Sequence, residues 1–78
     1  MEEVKLNNFI EKLSTDKEIT FELYNAIYKI KYLNKKYYII QNGMNICYEY
    51  DKIVTLFKEY VVYGSSLKDN FTNIRIIK

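Results

Sequence analysis

Histidine, proline and tryptophan are missing from this 78-residue chain, cysteine occurs once and glycine twice. Without histidine, the usual general base near neutral pH and the commonest metal ligand are lost together. The carboxylate pairs Asp16/Glu18 and Glu49/Asp51 remain, but they fall at the ends of expected elements, where acids serve as turn, cap and surface residues. Gly43 and Gly64 stand alone, so no glycine-rich loop is present to cradle a phosphate. Cys47 has no histidine to activate it and falls on the outward phase of its strand, which predicts a free surface thiol. These gaps point to a non-enzymatic protein with no cofactor and no metal.

No apolar run approaches the roughly 20 residues that a membrane-spanning helix needs. The first residues, Met1-Glu2-Glu3-Val4, are acidic where a secretory signal is basic. A lone thiol suits a reducing compartment. The expectation is a cytoplasmic protein with no membrane association.

What the chain does contain is enough apolar material to fold: 49% hydrophobic residues against 28% charged. A chain of this length encloses one core and buries roughly 60% of its unfolded surface, so residues 1–78 are expected to form a single domain. Ile, Lys, Asn and Tyr fill half of the positions. An AT-rich coding sequence writes that bias at permissive sites, which weakens any argument from nine tyrosines alone.

From Glu2 to Leu13 the apolar residues Leu6, Phe9, Ile10 and Leu13 recur at helical spacing, and Ser14-Thr15-Asp16 is the expected exit. From Glu18 to Tyr24 the period changes to two, with Ile19, Phe21 and Leu23 on one face. A turn at Asn25-Ala26 leads to Ile27–Leu33, where Tyr28, Ile30 and Tyr32 alternate with Lys29 and Lys31. Asn34-Lys35 turns the chain into 36–41. Asn42-Gly43 has the chemistry of a two-residue type I′ hairpin joining Tyr37–Gln41 to Met44–Glu49. Asp51 is placed to cap a helix with Ile53, Val54, Phe57 and Val61 as its apolar stripe and Gly64 as its stop, although the β-branched Val61-Val62 argues for an earlier end. Residues 67–70 form a short turn, and Asn73–Lys78 reads as a last strand with Ile74 and Ile76 inward. The resulting order, α-β-β-β-β-α-β, predicts an α+β fold: an antiparallel β-sheet of four to five strands with two helices packed on one face.

Charge is unevenly spread. Residues 1–22 hold six acids and three lysines, residues 23–48 four lysines and no acid. Lys29, Lys31, Lys35 and Lys36 interleave with Tyr28, Tyr32, Tyr37 and Tyr38, a strip that would track a phosphate backbone and offer rings for stacking. The competing explanation is that lysines protect solvated strand edges while alternating tyrosines and isoleucines build the core. Glu2, Glu3, Glu11, Asp16, Glu18 and Glu22 form a candidate acidic surface for a basic partner.

The segment Lys17-Glu18-Ile19-Thr20-Phe21-Glu22 after a short acidic helix, together with Gly64-Ser65-Ser66-Leu67-Lys68-Asp69, resembles short uncharacterised proteins of low-GC Gram-positive bacteria and their phages and mobile elements. The resemblance is one of layout over most of the chain and implies no reaction and no catalytic residues. By analogy with that class, it implies a small protein that occupies the surface of a host protein as an inhibitor or adaptor, as anti-CRISPR proteins do. Three expectations stand in order: a protein-binding module acting on a host or cognate protein, a nucleic-acid binder using the Lys/Tyr strip, and a homodimer paired through Asn73–Lys78.

Overall fold

Residues 2–77 are described in the computed structural model, with side chains from Leu6 onward. The expectations placed on the Glu2, Glu3 and Val4 side chains and on Lys78 lie outside the described residues. Helix α1 (Glu2–Asp16) is followed by strands β1 (Glu18–Leu23), β2 (Ala26–Leu33), β3 (Lys36–Gln41) and β4 (Cys47–Tyr50), then helix α2 (Ile53–Glu59). A small hairpin, β5 (Val61–Val62) and β6 (Ser65–Ser66), a 3-10 turn (Phe71–Asn73) and strand β7 (Arg75–Ile76) complete the chain. The main sheet is antiparallel in the order β4-β3-β2-β1-β7, and β5-β6 is a separate two-stranded sheet. The α+β class and element order expected from periodicity are those observed, with the small hairpin added.

Period-two alternation decides which side of the sheet is covered. Ile19, Phe21 and Leu23 of β1 lie opposite Ile30, Tyr28 and Ala26 of β2, and Ile30 lies opposite Ile39 of β3. Except for half-buried Ala26, these side chains are all buried. Phe9 and Leu13 from α1, Leu56 and Phe57 from α2, and Val62, Leu67, Phe71 and Ile74 from the C-terminal third close over them in one core. Both helices therefore sit on the same face. Phe9 is its centre, fully buried, with ring centroids 5.6 Å from Phe21, 5.6 Å from Phe57 and 5.5 Å from Phe71.

Several local expectations are corrected. The first hairpin turns at Tyr24-Asn25, not Asn25-Ala26, since Leu23 pairs with Ala26 and both turn residues have positive φ (51° and 65°). Asn34-Lys35 does the same, as expected, with φ 53° and 66°. Asn42-Gly43 is not a type I′ hairpin: only Gly43 has positive φ, and the Asn42 N–H is spent on the Ile27 carbonyl of β2 at 2.7 Å. The chain turns there, with the Met44 N–H on the Gln41 carbonyl at 3.0 Å, but pairing with β4 resumes only at Cys47. Helix α1 runs one turn past Leu13, aided by a Lys12–Asp16 ion pair at 3.2 Å, and ends on left-handed Lys17, whose N–H bonds the Leu13 carbonyl at 2.9 Å.

The cap position of helix α2 falls on Lys52, one residue after the expected Asp51, so the helix starts without a side-chain cap, and Asp51 lies 3.6 Å from the Lys36 ammonium. It ends at Glu59, and Gly64 lies in the turn between β5 and β6, beside left-handed Tyr63. The inward residues of α2 are Leu56 and Phe57, while Val54 is 58% exposed. In the tail, 71–73 wind into a 3-10 turn, so the last strand shortens to two residues paired with Phe21 and Glu22.

One buried polar side chain holds this C-terminal third together. The Asn70 amide donates to the carbonyls of Val62 (3.0 Å), Ser66 (3.1 Å) and Ser65 (3.4 Å), and its oxygen accepts from the Tyr24 hydroxyl at 3.0 Å. Asn73 in turn donates to that hydroxyl at 2.8 Å. The β5-β6 hairpin, the 3-10 turn and the first hairpin tip are thus tied at one point.

Candidate functional site

Pairing register separates the Lys/Tyr strip into two surfaces. Tyr28, Tyr32 and Tyr37 share the helix-covered face with Ile30 and Ile39, whereas Lys29, Lys31, Lys36 and Tyr38 share the open face. Tyr28 is buried, stacked 5.4 Å from Phe21, so no base reaches its ring. Tyr32 and Tyr37 are half-buried and face each other at 4.7 Å, with Lys17 over the Tyr32 ring at 5.5 Å. Lys35 sits in the hairpin turn, exposed.

Antiparallel pairing also undoes the charge segregation of the sequence. It lays acidic β1 beside basic β2, placing Glu18 opposite Lys31 and 3.3 Å from the Lys29 ammonium. Lys36 bonds Glu49 at 2.6 Å and lies 3.6 Å from Asp51. The bond to Glu49, then the charges of Glu49 and Asp51, raise the Lys36 pKa. On the acidic side, Glu22 pairs with Arg75 and Asp16 with Lys12, while Glu11 is exposed on α1. Lys31 and Lys35 make no ion pair among the described residues. Neither candidate surface is a field of one sign.

The tyrosines on the covered face behave as core. Burial raises the pKa values of Tyr28, Tyr37 and Tyr50, and pushes Tyr60 up to about 12 by burial first and the neighbouring Tyr28, Tyr48 and Tyr50 second. A phenol that ionises less readily when folded contributes stability that is intact below its unfolded pKa near 10 and is lost as pH climbs through the folded value. Urea unfolding midpoints are therefore expected to fall between pH 10 and pH 12, and Tyr60→Phe to flatten that fall relative to the parent. An unchanged alkaline profile in the variant would place the effect elsewhere.

Among the described residues no group of carboxylates and thiols comes together to hold a metal ion, and no helix is long and apolar enough to cross a membrane. Cys47 is a free, exposed thiol. Comparison with protein-family models, curated proteins and solved structures finds no match. The surface itself must carry the functional reading.

The most distinctive part of that surface is the β4 edge, which the sequence pattern did not single out. The Asn42 N–H to Ile27 bond fixes the phase of the β2-β3 ladder, and alternation then directs the backbone of Ile39 toward Tyr48 of β4 and that of Tyr37 toward Tyr50. The N–H and C=O groups of Cys47 and Glu49 consequently point to the uncovered side. No lysine or proline occurs between Met44 and Tyr50 to blunt this edge. Beside it, Met44 (52% exposed), Ile46 (53%), Tyr48 (47%) and Val61 (61%) rim a cleft of about 360 Å³ that reaches Tyr60. The opposite edge of the sheet is β7, which offers only two residues.

Proposed function

We propose that the protein is a non-enzymatic protein-binding module that recruits an extended segment of a partner by adding it to β4. The observation that carries this reading is the coincidence of outward backbone groups at Cys47 and Glu49 with exposed apolar side chains at Met44, Ile46, Tyr48 and Val61. In strand addition the backbone bonds supply affinity, and flanking pockets select alternate side chains. An inhibitor or adaptor role on a host protein fits such an edge, since covering a partner's segment requires no chemistry. The exposed Cys47 thiol suits a reducing compartment and hence a cytoplasmic location.

The nucleic-acid alternative has thinner support: Tyr28 is buried, Lys29 and Lys36 are already paired with acids, and Lys31 and Lys35 are left. A homodimer through the chain's last strand has only Arg75 and Ile76 to offer.

Panning a random-peptide library is expected to enrich peptides of alternating apolar residues, whose binding slows hydrogen exchange at the Cys47 and Glu49 amides. Ile46→Lys and Cys47→Pro should each weaken that binding at least tenfold. Proline at position 47 removes an outward N–H and spares the β3-β4 ladder. Peptides bound equally by both variants would sink the edge reading. Salt-sensitive binding of labelled single-stranded DNA, abolished by Lys31→Glu/Lys35→Glu, would favour the nucleic-acid reading instead.

A further inference from the structure

The helix layer does not close completely over the sheet. Between α1 and α2 lies a groove of about 340 Å³ walled by Leu6 and Ile10, Ile53, Val54 and Phe57, and Phe71. The other lining residues among those described are Lys58 and Lys68, with no acid among them. A backbone bond from the Lys68 N–H to the Phe57 carbonyl at 2.9 Å brings the two lysines to the same end, where α2 stops. Both are exposed, and neither makes an ion pair among the described residues.

We propose that this groove binds a single-chain aliphatic carboxylate, its chain along Phe57, Phe71 and Ile10 and its head between the Lys58 and Lys68 ammonium groups. Charge complementarity selects the head: two lysines, the charged residues among the described lining, match one anionic group at the end of an otherwise apolar trough. Size selects the chain. The volume is at the lower end of the roughly 300–1,000 Å³ usual for small-ligand sites. A wall only seven residues long in α2 spans about two turns, too little to seat a partner helix along three or more. The groove shares no residue with the β4 cleft, so this inference stands apart from the strand-addition reading.

The test is a proton–nitrogen NMR titration of the full chain with sodium decanoate below its micelle concentration, with decanol as the uncharged probe. Saturable shifts are expected at the amides of Leu6, Ile10, Val54, Phe57, Lys58 and Lys68. Affinity should drop at least tenfold for decanol, and for decanoate against Lys58→Glu/Lys68→Glu. Both lysines are exposed, so the double variant should keep the parent circular dichroism; if it does not, Lys58→Gln/Lys68→Gln replaces it. No saturable shift up to millimolar decanoate, equal affinity for decanol, or indifference to the double variant would each overturn the proposal. Tighter, lysine-dependent binding of an acidic amphipathic peptide would overturn it too, reassigning the groove to a protein partner.

Discussion

Phe9→Ala is expected to lower the unfolding free energy by about 4 kcal/mol, the middle of the range for emptying a fully buried aromatic site. Phe9 has no exposed surface and its ring contacts those of Phe21, Phe57 and Phe71, so the truncation strips three aromatic neighbours at once. Those neighbours come from β1, α2 and the 3-10 turn, elements too firmly anchored to collapse into the space together. Small domains hold only about 5–15 kcal/mol in total, which puts the variant near the limit of folding at 37 °C. Urea denaturation followed by circular dichroism measures the loss, and Phe9→Leu, which keeps most of the volume, should show clearly less. A loss below about 1 kcal/mol would mean that the cluster is not the centre of the core.

Asn70→Ala should be the next most damaging change, at about 3 kcal/mol, because it deletes a hydrogen-bonded amide and leaves buried carbonyl groups without their donor. The Val62 carbonyl loses its side-chain donor, the Ser66 carbonyl keeps only the backbone N–H of residue 70, and the Tyr24 hydroxyl loses its acceptor. Asn70→Asp tests the mechanism, since it preserves the shape but presents an acceptor to those same carbonyls at neutral pH. Both variants should unfold at lower urea, and hydrogen exchange should accelerate first at Ser65, Ser66 and Leu67. Asn70→Asp as stable as the parent at pH 7 would argue against the donor role assigned to the amide.

Much of this architecture was legible because one-sided burial imprints its period on the chain. Ile19, Phe21 and Leu23, then Tyr28 and Ile30, alternate without a break, and each falls on the covered face. Turns were harder to read because tertiary context overrode turn chemistry. Left-handed Tyr24 is secured by its hydroxyl bonds to Asn70 and Asn73, residues more than forty positions away, while the more obvious Asn42-Gly43 pair yields to one ladder bond with β2. Helix α2 misled for a related reason: with a stripe only two turns long, the choice between Val54 and Leu56 as the inward residue rests on the neighbour each meets, not on spacing. The Lys/Tyr strip is continuous in the sequence but divided between two faces of the sheet. Whether a lysine is free depends on which acid the neighbouring strand brings within reach, and Glu18 reaches Lys29 while Glu49 reaches Lys36. The β4 edge gave no compositional signal, since an outward amide has no side chain to announce it.

The seating of Phe9 has a consequence for how the molecule is made. Strands β1 to β4 each pair with a neighbour in sequence and can form as soon as they leave the ribosome, but two of the three rings around Phe9 are supplied by Phe57 and Phe71, and β7 must return to β1. Until α2 and the C-terminal elements emerge, the nascent meander therefore displays an apolar face roofed by α1 alone, a ready client for chaperones. The segments that conceal it follow the four strands in chain order.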